Sequence, residues 1–217
     1  MNAFTPTARS RAKRKQERVA YDRAAVFPVL DAGIICHVGY VIDGQPYVTP
    51  TCYWREGERL YWHGSSASRM LRTVKTGVPA CVTVTRFDGL VLACSGFHSS
   101  INYRSVMAFG TASAVADEAG KRKALEAFVE RLTPGRWAEL RPVTGQELKS
   151  TTVVSMEIEE ATVKTRSGPP VDDDEDYALD VWAGVVPVRE IAATPEPDPR
   201  LEDGVVVPAY LAGFRLD

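Results

Sequence analysis

Residues 47–71, which read YVTPTCYWREGERLYWHGSSASRML, contain the most informative structural pattern in this sequence. β-branched and aromatic residues dominate its first half, and Glu56-Gly57 separates that half from the short run RLYWH at residues 59–63. Runs of this composition, bounded by turn residues, are typical of paired β-strands. Glycine and serine then lead into residues 69–75, where apolar side chains recur at helical spacing. The segment therefore predicts two antiparallel strands followed directly by the start of a helix.

Further strands are predicted on both sides of this segment. Residues 33–42 are expected to pair with residues 45–55 through the two-residue turn Asp43-Gly44. The other strand candidates are residues 79–87, 90–97, 103–116 and 152–166, the first two separated by Asp88-Gly89, and helices are expected at residues 21–30 and 117–132. Many short strands with few helices favour a mainly β fold, a closed or partly open antiparallel barrel.

The composition is that of an ordinary globular protein. The chain has 217 residues, of which 45% are hydrophobic and 25% charged, and its formal net charge is -2 at pH 7. These values disfavour disordered and fibrous classes and give no general attraction to nucleic acid or to an anionic membrane. The cysteines lie in apolar, strand-like runs without C-x-x-C spacing. This pattern indicates buried thiols in a reducing, cytoplasmic compartment.

A basic run, RSRAKRKQER, occupies residues 9–18. No apolar stretch follows it, so a secretory signal peptide is not expected. We interpret the run as a solvated arm or an approach to the first helix, with a tether to nucleic acid or membrane as the alternative. The expected organisation is a basic arm at residues 1–20, one barrel domain at residues 21–190 and a C-terminal tail at residues 191–217.

The common catalytic and cofactor motifs are missing from the sequence. It contains no P-loop, no H-E-x-x-H, no G-x-S-x-G and no G-x-G-x-x-G after a strand, so no catalytic residue is predicted. The histidines His37, His63 and His98 have no carboxylate or cysteine at ligand spacing. A metal site is therefore not expected.

Two polar clusters are candidates for ligand binding. At residues 63–69, HGSSASR, serine hydroxyls and an arginine lie at the predicted start of a helix, where N–H groups and the helix dipole favour a phosphate. At residues 98–105, HSSINYRS, hydroxyls, an amide, a phenol and a guanidinium precede a strand and can hold a phosphate or a planar heterocycle. A serine N-cap and a polar turn are the alternative interpretations.

These clusters, with PGRW at residues 134–137, KTRSGPP at 164–170 and WAGVVP at 182–187, resemble the pyridoxamine 5′-phosphate oxidase-like, FMN-binding split-barrel proteins. The most similar branch contains the nitroimidazole-resistance proteins. The resemblance covers about residues 21–187. It implies a six-stranded antiparallel split β-barrel and a homodimer with FMN at the subunit interface.

The resemblance also implies which residues contact the cofactor. The backbone of one strand is expected to run along the isoalloxazine edge at Val48, Thr49 and Pro50. The phosphate is expected to be held by His63, Ser65, Ser68 and Arg69, and the flavin to be contacted by a further strand at Tyr103, Arg104 and Ser105. Ser105 stands where the oxidase proper has an amide, so its shorter side chain reaches less far towards the ring.

The function that this resemblance implies is an FMN-dependent oxidoreductase. It would pass hydride between a nicotinamide, NADH or NADPH, or a similar donor and a small-molecule substrate that the sequence does not identify. Pyridoxamine phosphate oxidation is not expected, because the substrate-binding arginine and histidine motif of that enzyme is missing. The alternative is a non-catalytic protein that carries or senses flavin, or that holds haem through His63 or His98. A deazaflavin cofactor is a third possibility.

Overall fold

Antiparallel strands make up most of the protein in this computed structural model, which describes residues 2–202, 204–211 and 213–214. The strands are β1 Val19–Ala20, β2 Ile35–Ile42, β3 Gln45–Glu56, β4 Arg59–Ser65, β5 Thr76–Leu92, β6 Ser100–Ala114, β7 Thr151–Glu157, β8 Glu160–Arg166 and β9 Gly184–Pro187. The α-helices are α1 Arg23–Ala32, α2 Arg69–Val74, α3 Glu118–Leu132 and α4 Gly145–Ser150. The prediction of a mainly β protein with a few helices is confirmed.

Six of the strands close into a ring in the order β6-β7-β4-β3-β2-β5, because β5 pairs back onto β6. Strand β7 closes the ring, since it pairs with β4 on one side and with β6 on the other. Outside the ring, β8 and β1 extend the sheet from β6, and β9 pairs with the end of β5. The expected six-stranded split barrel is confirmed.

The core fills the inside of this ring. Side chains alternate between the two faces of each strand, so Cys36, Val38 and Tyr40 of β2 are buried while Ile35 and His37 face outward. Apolar residues of α1 and α2 join the same core. A smaller apolar cluster lies outside the ring, where α3 packs against β3 and β7. The outward faces of β2, β3, β5 and β6 remain largely uncovered.

Two predicted turns have different outcomes. Asp43 and Gly44 both adopt positive φ, 49° and 80°, as a tight two-residue hairpin turn requires, and they join β2 to β3 as expected. Asp88-Gly89 does not reverse the chain, and β5 continues through it as a single strand with a bulge. A β-carbon at Gly89 would lie 2.6 Å from the carbonyl oxygen of Val186 in β9. Glycine is required there for the close approach of a neighbouring strand.

Residues 152–166 were expected to form one strand, and this expectation is wrong. The chain reverses at Ile158 and Glu159, so that β7 and β8 are separate strands. The N–H of Ile158 donates to the carbonyl of Glu58, and that of Glu159 donates to the carbonyl of Phe109. Neither residue is a typical turn former, and the reversal is stabilised by these contacts with distant strands.

The cysteines are less uniformly buried than expected. Cys36 is buried, and burial raises the pKa of its thiol to about 12. Cys52 is exposed, and Cys81 and Cys94 are half-buried, so the strand-like runs around them do not all face the core. Within the described residues, no helix is both long and apolar enough to cross a membrane.

Candidate functional site

The turn between β4 and α2 keeps the predicted phosphate-binding residues together. Ser65 ends β4, Ser68 is the N-cap of α2, and Arg69 begins that helix. The Ser68 side chain makes no capping hydrogen bond, and Arg69 is exposed with its guanidinium 4.5 Å from the ring centre of Tyr47. The Tyr47 ring stacks on Tyr40 at a centroid distance of 5.7 Å. Hydroxyl and guanidinium donors at this turn are therefore available to an anion.

His63 lies on the outer side of β4, between the barrel and α3. Its ring centre is 4.7 Å from that of Phe128 on α3 and 5.9 Å from that of Trp54 on β3. Burial lowers the pKa of His63, which keeps the imidazole neutral near pH 7. Among the described residues, its buried Nδ1 has no hydrogen-bond partner, and neither has the buried Nε1 of Trp54. Two polar atoms without partners thus lie within one aromatic cluster.

The three predicted residues of β3 are divided between its two faces. Val48 and Pro50 face outward and are exposed. Thr49 faces the barrel interior, where its Oγ1 lies 3.1 Å from the phenolic oxygen of Tyr40. Only the backbone of Thr49 is therefore available to a group lying on the outer face.

The three predicted residues of β6 are divided in the same way. Tyr103 and Ser105 face outward, and Ser105 Oγ is 3.0 Å from Oγ1 of Thr85 on the adjacent strand. Arg104 faces the opposite side and forms a bidentate ion pair with Asp88, at 2.9 and 2.7 Å. Hydrogen bonding to that carboxylate raises the pKa of Arg104. Arg104 therefore does not share a surface with its neighbours.

The outward residues of β3 and β6 belong to one continuous surface. The strand registers align Pro50 with His37, His37 with Thr83, and Thr83 with Met107. Three inter-strand spacings separate Pro50 from Met107, which is about 14 Å along the sheet. This surface is apolar and open, with exposed fractions of 68% for Val48 and 41% for Met107. It offers a flat, apolar bed for a planar ring or a second subunit.

Sequence reasoning missed one cluster, at the end of β5. His98 Nδ1 lies 2.9 Å from Ser95 Oγ and 3.6 Å from the buried carboxylate of Asp172. That carboxylate also accepts hydrogen bonds from the N–H groups of Cys94 and Ser95, at 2.9 and 3.2 Å. Burial alone would raise the pKa of Asp172, but these hydrogen bonds lower it overall.

Asp176 completes this cluster, because one ligand atom from each of His98, Asp172 and Asp176 lies within 4.8 Å of the others. Such a set could hold a metal ion. The carboxylates follow the histidine by a long stretch of sequence, so ligand spacing along the chain gave no sign of the grouping. The absence of a metal site stays a prediction.

Comparison with known proteins identifies relatives along the whole chain. The family described as pyridoxamine 5′-phosphate oxidase matches residues 22–165. The flavocytochrome Anf3 from Azotobacter vinelandii is 46% identical, with a TM-score of 0.93 over 99% of this chain and 100% of that one. The FAD and haem binding protein from Mycobacterium smegmatis is 38% identical, with a TM-score of 0.87 over 91% of this chain and 97% of that one.

A more distant structure shares the fold alone. It is a 5-nitroimidazole antibiotic resistance protein from Bacteroides thetaiotaomicron, 22% identical, with a TM-score of 0.55 over 67% of this chain and 85% of that one. No curated protein matches the chain. The expectation of FMN as the cofactor is contradicted, because the relatives with 46% and 38% identity are described as a flavocytochrome and as an FAD and haem binding protein.

Proposed function

The chain belongs to the pyridoxamine 5′-phosphate oxidase family, and from this membership we propose that it binds FAD and haem together as an electron-transfer protein. The single observation that supports this most strongly is the similarity, over nearly the full length, to a flavocytochrome and to an FAD and haem binding protein. When bound, the flavin would exchange pairs of electrons and the haem iron single electrons. The polypeptide would hold and orient both groups.

The haem would be held through His63. A haem iron ligand must be a neutral imidazole, and burial keeps His63 in that form. Its ring lies among flat aromatic side chains, and a buried nitrogen of the ring lacks a partner among the described residues. Buried polar atoms without partners are uncommon and call for an explanation. A ligand that completes this aromatic cluster supplies one.

His98 is the less favoured ligand. Its Nδ1 already faces Ser95 and Asp172, an arrangement that fixes a ring orientation and is also common around metal ligands. However, the local hydrogen bonds of His98 are satisfied without any cofactor. The contrast between the two histidines leads us to assign the haem to His63.

The flavin would lie on the outward face formed by β3, β2, β5 and β6. A phosphate of FAD would bind at Ser65, Ser68 and Arg69, where the donors are available. The backbone at residues 48–50 and the side chains of Tyr103 and Ser105 would line the ring. Arg104 would act from the other side of β6, by holding Asp88 and so fixing the bulge of β5.

A homodimer would complete the site. The outward face exposes apolar side chains that water does not favour, including Ile35, Val48, Phe87 and Met107. Pairing two such faces would bury these side chains and enclose the flavin between subunits. We place the protein in the cytoplasm, where its unpaired cysteines would stay reduced.

The purified protein provides the test. We expect an absorbance spectrum with both flavin and haem bands, and extraction followed by chromatography should release FAD rather than FMN. If the protein carries neither group, and gains neither when FAD and haemin are added, the proposal is wrong. Bound flavin without haem would overturn the haem half of the proposal alone.

A flavin-dependent oxidoreductase with a small-molecule substrate is the second candidate. A cavity of about 760 Å³ adjoins β5 and β6 and is lined by Arg86, Arg104 and Arg189 together with Phe87 and Ile191. Arginine and aromatic side chains suit a planar, anionic molecule. Anaerobic mixing with NADH or NADPH separates the two candidates, because an oxidoreductase should bleach the flavin absorbance rapidly and then reoxidise only when its acceptor is supplied.

A further inference from the structure

The basic arm is the one sequence motif that the proposed function leaves unused. In the structure the arm lies against the barrel rather than in open solvent. The carbonyl of Ser10 accepts a 2.6 Å hydrogen bond from Thr162, and the N–H of Ala12 donates to the phenolic oxygen of Tyr21 at 3.1 Å. Thr7 and Ser10 both donate to the buried carboxylate of Glu160. The arm is therefore attached to β8 at defined points.

The positive charges of the arm fall into two groups. Arg9 is neutralised by Glu159 and Glu160, at 3.2 and 2.7 Å, and serves to attach the arm. By contrast, Arg11, Lys13 and Arg14 are exposed and have no carboxylate partner within the part of the chain that the structure describes. Arg11 donates only to a backbone carbonyl, that of Pro6. Three cations are thus held close together without counter-charge.

These cations border a cavity of about 460 Å³ between the arm and the outward face of β6 and β8. Its walls are formed by residues 9–14 of the arm and by Val19, Tyr103, Ser105, Met107, Thr162 and Lys164. Lys164 pairs in register with Ser105 and with Val19, so its ammonium adds a fourth unpaired charge at the centre of the strand wall. The cavity adjoins Tyr103 and Ser105, which we place beside the flavin ring.

We infer that this cavity binds the diphosphate group of an adenine dinucleotide. Four cations in one concave site match the charge of a diphosphate, and the arginines can each donate paired hydrogen bonds to phosphate oxygens. Its volume lies within the range of about 300–1,000 Å³ that is typical of small-molecule sites. The dinucleotide is either the FAD of the proposed function or a nicotinamide donor that reduces it, and in this respect the inference rests on that function.

A nucleic acid is a poorer match for the same charges. The cations surround a pocket instead of following a stripe along the surface, and the protein as a whole has a formal net charge of -2. The walls also include apolar and phenolic side chains from Met107 and Tyr103, which suit a sugar or a base edge. A discrete, doubly charged group fits this shape.

The test removes two arm cations together, with Lys13→Ala and Arg14→Ala in one variant. The matched control removes Lys123 and Lys149, which are exposed on α3 and α4 and have no ion-pair partner among the described residues. Neither arm residue attaches the arm, so circular dichroism and the melting temperature should stay as in the unmodified protein. The probe is ADP, measured by isothermal titration calorimetry at two salt concentrations.

We expect the arm variant to bind ADP about tenfold more weakly and with a smaller salt dependence, and the control variant to match the unmodified protein. Parallel titrations identify the source of the diphosphate. A loss of affinity for FAD but not for riboflavin assigns the cavity to the flavin, whereas a loss confined to NADH or NADPH assigns it to the donor. Equal ADP, FAD and nicotinamide affinities in both variants would overturn the inference.

Failure of the proposed function would look different. If the protein binds neither flavin nor haem, that function fails, yet weaker ADP binding in the arm variant would still support a diphosphate site. If the protein carries both cofactors and the arm variant binds every nucleotide normally, only the present inference fails.

Discussion

His63 and His98 occupy contrasting environments. His63 lies in an aromatic cluster with a buried nitrogen that no described residue contacts. His98 lies in a polar cluster in which Ser95 and Asp172 satisfy its hydrogen-bonding nitrogen. Both side chains are half-buried, so burial does not distinguish them. The difference lies in whether the protein alone completes the hydrogen bonding.

The same contrast separates two larger regions. In the β4–α2 region, Ser68 and Arg69 present donors that the protein leaves available. In the clusters around Asp172 and Glu160, each carboxylate accepts several hydrogen bonds from nearby donors. We therefore expect substitutions in the first region to remove ligands without loss of stability. Substitutions in the second region should cost stability and leave ligand content unchanged.

The largest effect is expected at His63. His63→Ala should remove nearly all of the haem, because no other described nitrogen in that cluster can replace the ligand, while flavin content stays normal. His98→Ala is the matched comparison and should retain haem. The haem band of the absorbance spectrum, normalised to protein, measures both. If His98→Ala loses haem and His63→Ala keeps it, the contrast between the two histidines has been interpreted in the wrong direction.

A smaller effect is expected at the β4–α2 turn. Arg69→Ala should weaken flavin binding by about tenfold, because one charge-assisted contact to phosphate is lost. Arg72→Ala, an exposed arginine further along the same helix, serves as the control. Flavin titration followed by fluorescence measures the affinity of each variant. Equal affinities in the two variants would remove Arg69 from the site.

Asp172 tests the second region. Asp172→Ala should lower the melting temperature by about 5 °C, because the N–H groups of Cys94 and Ser95 lose their acceptor. Asp174→Ala, at an exposed aspartate of the same segment, should leave it unchanged. Thermal unfolding followed by circular dichroism gives the comparison. Loss of a cofactor from the Asp172 variant alone would show that this cluster takes part in binding.

The smallest effect concerns pH. Hydrogen bonds from Ser10 and Thr7 lower the pKa of Glu160 from its usual 4.5 to about 2. The stabilisation by this carboxylate is therefore complete above pH 4.5 and is lost as the pH falls towards 2. Glu160→Gln should flatten the pH dependence of stability in that window by about 2 °C in melting temperature. Identical pH profiles for the two proteins would exclude Glu160 as an attachment point of the arm.

Much of the fold could be predicted from local sequence. The hairpin at Asp43-Gly44 and the strand-to-helix transition around Ser68 depend on short-range turn and capping preferences, and both occur as expected. Two other features depend on contacts with distant strands. Asp88-Gly89 has the composition of a hairpin but forms a bulge beside β9, and Ile158-Glu159 reverses direction without any turn residue. Local composition does not contain that information.

The candidate site was predictable to a similar extent. The cluster at residues 63–69 is contiguous, so its members stay together in the structure. On the strands at residues 48–50 and 103–105, alternation sends neighbouring side chains to opposite faces, and Arg104 is directed away from Ser105. The partners of His98 and the cavity below the arm bring together residues far apart in the sequence. The choice of flavin came only from relatives that are similar over the whole chain.

Strand β7 has a consequence for the protein while it is still on the ribosome. Because β7 joins β4 to β6, a nascent chain that has not yet exposed residues 151–157 presents two open strand edges. Such edges readily pair with other chains, and roughly two thirds of the polypeptide must emerge before they can be covered. Slow translation or a premature stop just before Thr151 should therefore favour aggregation over simple degradation.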